Sequence, residues 1–377
     1  MLHSLTMCNF KGFASQTVRL APLTLLTGLN GSGKSTVLQA LALLRQSGDA
    51  GFLAEGKWLL NGSMVDLGTA GDVRYDGFPE PVITLAVGAT GMAGKVSEIS
   101  WPVGAGEEAA DVLFPVASGA LPTPACWNAL SLFGSGFQYL RADRVTPSVV
   151  YPKSQHAVRS AGWLGSRGEY SVHFLREYGD ELRIQEALRH PDELGIQSLL
   201  GQVNAWMQEF SPGVRLEPCA VPATDLVQLQ FQYRGAGKSY GRSLRATNVG
   251  FGLSHVLPVI VAALAARPDS LVLIENPETQ LHPRGQAAIG RLLALATAGG
   301  VQMVVETHSD HVLNGVRLAV KQRLLGPDQV ATHFFSRQPG REIDVASPRL
   351  DPRGRLSFWP PDFFDQWEKS LDALTDD

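Results

Sequence analysis

The chain has 377 residues, of which 44% are hydrophobic and 18% charged, and its formal net charge is −4. That length is ample for a substantial core in one large domain or two. The mildly acidic balance excludes the global positive field that would announce a nucleic-acid or anionic-membrane partner.

The N-terminus, MLHSLTMCNFKGF, lacks the charged start and apolar run of a signal peptide. No apolar run approaches the length of a membrane span. Cys8, Cys126 and Cys219 lie far apart and form no CxxC pair, which fits a reducing compartment. A cytoplasmic, soluble protein with no membrane partner is expected.

Residues 5–10 are predicted to form a strand that pairs near residues 18–20. Residues 28–36 then read GLNGSGKST, in which Gly28, Gly33, Lys34 and Ser35 fill the frame of a phosphate-binding loop. Leu23, Leu25 and Leu26 precede it as a short buried strand, and Val37, Leu38, Leu41 and Leu44 follow at helical spacing. In that context glycines let successive N–H groups, from Asn30 through Thr36, turn inward around an anion at a helix N-terminus. Lys34 would reach the β- and γ-phosphates of ATP, and the Ser35 hydroxyl would ligate Mg²⁺.

Residues 51–135 are rich in Gly, Ala and Pro with short apolar runs such as 82–87, and read as a β-rich subdomain with a flexible stretch at 104–124. Residues 137–151 predict a strand ending in a charged loop. Helical periodicity returns at 173–190 and at 196–210, the latter through Ile196, Leu199, Leu200, Val203, Met207 and Phe210, and predicts a compact helical insert. Val227, Leu229, Phe231 and Tyr233 alternate with Gln228, Gln230 and Gln232, and a GAGK turn leads to residues 239–244, so a hairpin is expected. The division by sequence is therefore 1–152, 153–225 and 226–377.

Residues 246–255, ATNVGFGLSH, open a helix with glycines, a second anion-binding N-terminus. Pro258 is discordant there, because it removes one backbone bond early in the helix. The run LVLI at 271–274 ends in Glu275, where a carboxylate beside a phosphate loop holds hydrated Mg²⁺; the plain alternative is a strand that exits into an acidic turn. The strand at 301–305 runs into Glu306, Thr307 and His308. A histidine at that edge can contact a γ-phosphate, can be a polar loop residue, or can join His311 and His282 on a metal.

Taken in order, these pieces resemble the ABC-type ATPases of the SMC/OLD-like group. The shared marks are NFKGF, GLNGSGKST, a glycine signature before a helix, the block from Glu275 to Pro283 (ENPETQLHP), and a strand ending in T-H-S. The segment WPPDFFDQWEKSLDAL at 359–374 is similar to the tail of one branch with a Phe-Phe-Asp-Gln core. The resemblance covers about 1–45 and 137–377; between them only GSMVDLGT (62–69) adds to it. It implies an α/β fold: a P-loop ATPase head with a mixed central sheet, an N-terminal β-rich subdomain and a compact helical insert. Two such heads would form a homodimer in the ATP state, each site using Lys34, Ser35 and Glu275 of one protomer and the Asn248–Gly250 signature loop of the other. His308 would be the switch histidine and 281–283 the dimer-facing loop.

Asn276 stands where the pattern most often has a second acidic residue, the general base. Asparagine can position water but cannot take its proton, so slow hydrolysis is expected, with Glu278 a nearby substitute. Only 69 residues follow His308, and Asp344, Asp351 and Asp362 make no convincing metal cluster. A built-in nuclease is not expected. The resemblance instead suggests a separately encoded effector protein, such as a nuclease, as in bacterial antiviral defence. A nucleotide-gated sensor or scaffold is the alternative.

DNA is a further candidate partner, from Arg234, Lys238, Arg242, Arg245 and Arg267 with Phe231, Tyr233 and Tyr240 among them. A solvated hairpin face explains the same residues. Arg141 and Arg144 in YLRADR either touch or transmit the nucleotide state, or pair with Asp143. Asn9 and Lys11 lie either near the base or on a plain exposed strand.

Overall fold

Strand Leu2–Phe10 buries Leu2, Leu5, Met7 and Phe10 and pairs antiparallel with Phe13–Arg19 on one side and Val82–Thr90 on the other. Val96–Gly104 completes that four-stranded sheet beside Val82–Thr90. The structure, a computed structural model, describes residues 1–77, 81–90, 96–116, 121–235, 239–338, 340–361, 363 and 366–375. It comprises two units: one of Met1–Gly134, Pro327–Asp351 and Arg355–Asp377, the other of Ser135–Gly326 with Pro352–Gly354. These bounds differ from the three-part division read from sequence.

In the first unit, Leu23–Gly28 is buried along five of its six residues, as suits a strand covered on both faces. It runs parallel to Val330–Arg337, which pairs antiparallel with Ile343–Ala346, so the sheet is mixed. Helix α1 (Lys34–Asp49) follows the glycine loop and buries Val37, Leu38, Leu41 and Leu44 completely. Gln46, near its end, accepts from the backbone N–H of Met64 and Val65 and donates to the Leu59 carbonyl, which ties the 62–69 segment to the helix. Phe363 is buried against the rings of Phe334 and Trp359, and the helix Gln366–Thr375 follows it. Phe364, Asp365 and Asp362 of the tail lie outside the described residues, as do residues 236–238 of the expected GAGK turn and 117–120 of the stretch expected to be flexible.

In the second unit, Gln138–Leu140, Leu271–Glu275 and Gln302–Glu306 run parallel, with Leu271–Glu275 in the middle. Its main helices are α2 (Ser171–Tyr178), α3 (Leu199–Phe210), α4 (Phe251–Ala265), α5 (Pro283–Ala298) and α6 (Asp310–Lys321). The helix expected over 173–190 stops at Tyr178. The chain turns at Gly179, where a Cβ would lie 2.4 Å from the Leu175 carbonyl oxygen and 3.0 Å from Leu200 Cβ. Leu200 N–H then donates to the Gly179 carbonyl, so the start of α3 occupies the space a longer α2 would need.

Strand Leu226–Tyr233 buries Val227, Leu229 and Phe231 as its alternation predicts. Its long partner is Val214–Ala220, missed in the sequence because Pro218 interrupts the pattern. The 239–244 segment contributes a bridge at Tyr240 and the short strand Leu244–Arg245. Pro258 sits inside α4 with its ring against Gly168, whose Cβ would lie 2.4 Å from Pro258 Cβ. No helix among the described residues is long and apolar enough to cross a membrane.

Candidate functional site

The loop 28–36 is shaped by backbone conformations that only glycine adopts freely. Gly28, Gly31 and Gly33 have φ of 134°, 73° and 93°. A Cβ on Gly28 would lie 2.1 Å from the Phe335 carbonyl oxygen, and one on Gly33 would lie 2.8 Å from Phe13 Cζ. The left-handed Gly33 is the N-cap of α1 and offers no side chain to the first helical N–H groups. Those donors and the helix dipole suit an anion. Lys34 is 3% exposed, and its Nζ donates to the Leu29 carbonyl at 2.6 Å, which holds the ammonium inside the loop. The Ser32 hydroxyl donates to the same carbonyl at 2.7 Å. Asn30 and Gly31 are exposed, Ser35 is half-buried and Thr36 is buried.

Asn9 is not on an exposed strand. It is fully buried within strand Leu2–Phe10 at a left-handed φ of 54°, its amide donating to the Val82 carbonyl and accepting from Tyr75 N–H. Lys11 donates to Gln39 of α1, and burial pulls its ammonium pKa down.

In the second unit, the Glu275 carboxylate ends its strand in register with Glu306. Tyr139 donates its hydroxyl to Oε1 at 2.6 Å, and Ala142 N–H donates to Oε2 at 2.9 Å. Burial first, and then the Glu275 charge, push the Tyr139 phenol well above its ordinary pKa, so it remains a donor. Each Glu275 oxygen keeps a second lone pair, as a carboxylate that holds hydrated Mg²⁺ requires. Tyr139 was not singled out in the sequence; the signal available was its place in the strand beside Glu275.

Asn276 adopts φ of 43°, a left-handed conformation in which asparagine is enriched. Its N–H donates to the Glu306 carbonyl at 2.8 Å, and its buried Oδ1 has no hydrogen-bond partner among the described residues. Glu278 is 8% exposed and accepts from Thr307 Oγ1 at 2.8 Å and from His308 N–H at 2.7 Å. Burial raises its pKa against these hydrogen bonds, which lower it. Both oxygens therefore hold the turn that presents His308. The His308 imidazole itself is exposed.

Asn248 and Gly250 are exposed before α4. Gly252, in the first turn of α4, lets another segment approach: a Cβ there would lie 2.5 Å from the Gln280 carbonyl oxygen. Gly250 of the signature loop borders one cavity of about 420 Å³ with Gln280, Leu281, His282, Arg284 and Gly285. Arg141 pairs with Asp143 at 2.8 Å. Arg144 does not; it is 2% exposed and binds backbone carbonyls.

The trio His282, His308 and His311 is not among the candidate metal groups; the one such set among the described residues is His190, Asp192 and Glu209. There Asp192 N–H points at His190 Nδ1 (3.3 Å), which assigns the proton to Nε2 and makes the 3.2 Å contact to Glu209 a hydrogen bond. Asp351 is engaged by Arg355, and among the described residues no metal-ligating group involves Asp344 or Asp351.

Models of known families match three stretches. Residues 1–67 match "AAA ATPase domain", 167–314 match "AAA domain, putative AbiEii toxin, Type IV TA system", and 325–374 match "Protein of unknown function (DUF3696)". No curated protein matches significantly. Among solved structures, an Smc head bound to the C-winged helix domain of ScpA is similar at 14% identity and a TM-score of 0.55, over 93% of this chain and 98% of that one. An Smc head with an extended coiled coil, bound to the C-terminal domain of ScpA and derived from Pyrococcus furiosus, is similar at 11% identity and a TM-score of 0.53 over the whole of both chains. The chain therefore carries AAA-family ATPase domain sequence. Its α/β fold is similar to that of SMC heads.

Proposed function

We propose that this protein binds ATP with Mg²⁺ and hydrolyses it slowly, as an ATPase of the SMC/OLD-like group. The single observation that carries the reading is the phosphate loop, where left-handed glycines bare the α1 N-terminus and Lys34 is held within the loop. In this reading backbone N–H groups of 30–36 and Lys34 bind phosphates, and Ser35 and Glu275 hold Mg²⁺. His308 senses the γ-phosphate, while Asn248 and Gly250 reach the partner protomer's nucleotide. Bound Mg²⁺ would supply charge neutralisation at the phosphates.

In this reading Asn276 stands where a general base would be and takes no proton, so turnover is slow. Glu278 serves as a positioning group, since both of its oxygens already hold the Thr307–His308 turn. An ATP-dependent homodimer controlling a separately encoded effector in the cytoplasm, as in bacterial antiviral defence, is the cellular role that the resemblance supports.

A sensor that barely hydrolyses ATP is the second reading, favoured by the neutral side chain at 276. Direct DNA contact rests on the exposed Arg234, Arg242 and Arg245 and on Arg215 over the Tyr240 ring. Such binding would weaken steeply with salt.

The test is steady-state Mg²⁺-ATP turnover and ATP binding, with Lys34→Ala as the control. Turnover that Lys34→Ala abolishes supports the enzyme. ATP binding without turnover selects the sensor. No ATP binding refutes both.

A further inference from the structure

Arg144 is the largest buried cation in the second unit, and its partners are unusual. Its Nε donates to the His255 carbonyl at 3.1 Å, Nη1 to the carbonyls of Arg141 (3.0 Å) and Glu275 (2.6 Å), and Nη2 to the Asn276 carbonyl at 2.7 Å. Among the described residues it forms no ion pair within 4.0 Å. Burying a guanidinium is costly unless its donors are used. Here they are used on backbone alone, and burial holds its pKa down to about 10, so it stays charged at neutral pH.

The four carbonyls belong to three segments. His255 lies in α4, one turn after the signature loop. Glu275 and Asn276 form the end of the acidic strand. Arg141 belongs to the turn whose Ala142 N–H holds the Glu275 carboxylate. A planar fork with five fixed donors can span three segments at once, whereas the compact ammonium of lysine cannot.

We propose that Arg144 is a positioning residue that locks α4 to the Glu275–Asn276 turn, so that engagement of the signature loop is felt at the acidic strand end of the same chain. This rests on the ATPase reading above. In that reading a chain's signature loop meets its partner's nucleotide, so the link makes the two sites of a dimer interdependent. The physical requirement is one element whose position both sites bias, and the Arg144 guanidinium with its four carbonyls supplies it.

The test is hydrogen–deuterium exchange of the full chain with and without Mg²⁺-ATP, for wild type, Arg144→Lys and Lys34→Ala. In wild type, ATP is expected to slow exchange at least fivefold both at 249–257 and at 274–279. In Arg144→Lys, ATP should still bind within about threefold of wild type and protect 249–257, while protection at 274–279 is lost.

Equal protection of both segments in Arg144→Lys overturns the proposal. So does faster exchange throughout the second unit before ATP is added, which marks Arg144 as a general stabiliser. So does a wild type that binds ATP without protecting both segments. ATP binding that is absent in wild type, or insensitive to Lys34→Ala, overturns the ATPase reading and the coupling together. Binding is measured separately, so the two failures are distinguishable.

Discussion

Helices α5 and α6 meet backbone to backbone at Gly290 and Gly315, and Gly290→Ala tests what that contact does. A Cβ at Gly290 would lie 2.2 Å from the Val312 carbonyl oxygen and 3.0 Å from Gly315 Cα. The reciprocal Cβ at Gly315 would lie 2.2 Å from the Ala287 carbonyl oxygen. Two effects oppose each other. In an open helix, alanine gains about 1 kcal/mol over glycine. Here the colliding atoms are backbone, which no rotamer change relieves, so the helices must part by roughly 1 Å to restore van der Waals separation.

Overpacking of this kind costs about 3 kcal/mol, the upper end of its usual range. The net is a loss of about 2 kcal/mol, or about 4–8 °C in Tm for a body of this size. The consequence reaches the site. Helix α5 starts at Pro283, just after the 280–282 turn, and α6 starts at Asp310, just after His308. Parting the helices displaces one turn from the other, so ATP turnover should fall as well. Thermal unfolding by circular dichroism and steady-state turnover measure both. A Tm that rises by the propensity increment alone would refute the reasoning.

Tyr139→Phe removes the hydroxyl that donates to Glu275 Oε1. A hydrogen bond to a charged group contributes about 1.5–3 kcal/mol, so the Mg²⁺ concentration for half-maximal turnover should rise at least threefold while ATP affinity changes little. A Mg²⁺ titration of turnover checks it; unchanged Mg²⁺ dependence counts against the role given to Glu275. Asn276→Glu should raise turnover at least tenfold by supplying a base, at the cost of about 1 kcal/mol from placing glutamate in a left-handed backbone. No change in rate would refute the expectation that Asn276 limits hydrolysis.

His255 is 5% exposed with neither ring nitrogen hydrogen-bonded among the described residues, and burial, then the Arg144 charge, lower its pKa to about 4. The unfolded chain takes that proton first, near its ordinary value of about 6.5. His255 thus leaves stability unaffected above that value and lowers it as pH falls toward 4. His255→Leu should flatten the denaturant midpoint between pH 7 and pH 5 relative to wild type; an identical slope would refute the assignment.

Much of this was legible in the sequence. The phosphate loop is a local object, since glycine's freedom at φ > 0 and the run of α1 depend on nearest neighbours. The buried alternation of 227–231 and the apolar strands at 271–275 and 302–306 follow from periodicity.

What the sequence left open were contacts between distant segments. Glu278 could be read as a spare base, but the fold spends both of its oxygens on Thr307 and His308, 29 and 30 residues away. Arg144 could be read as a partner of Asp143, and the tertiary structure instead places it on the nearby Arg141 carbonyl and on three carbonyls 111 to 132 residues distant. Helix α2 ends at Tyr178 because glycine at 179, a local stop signal, follows it and α3 packs against that glycine. The phosphate-loop frame could be read from local backbone chemistry, although Phe335 and Phe13 also press on its glycines. Which polar group faces which was decided only by packing, because a buried donor or acceptor takes whatever partner the fold brings to it.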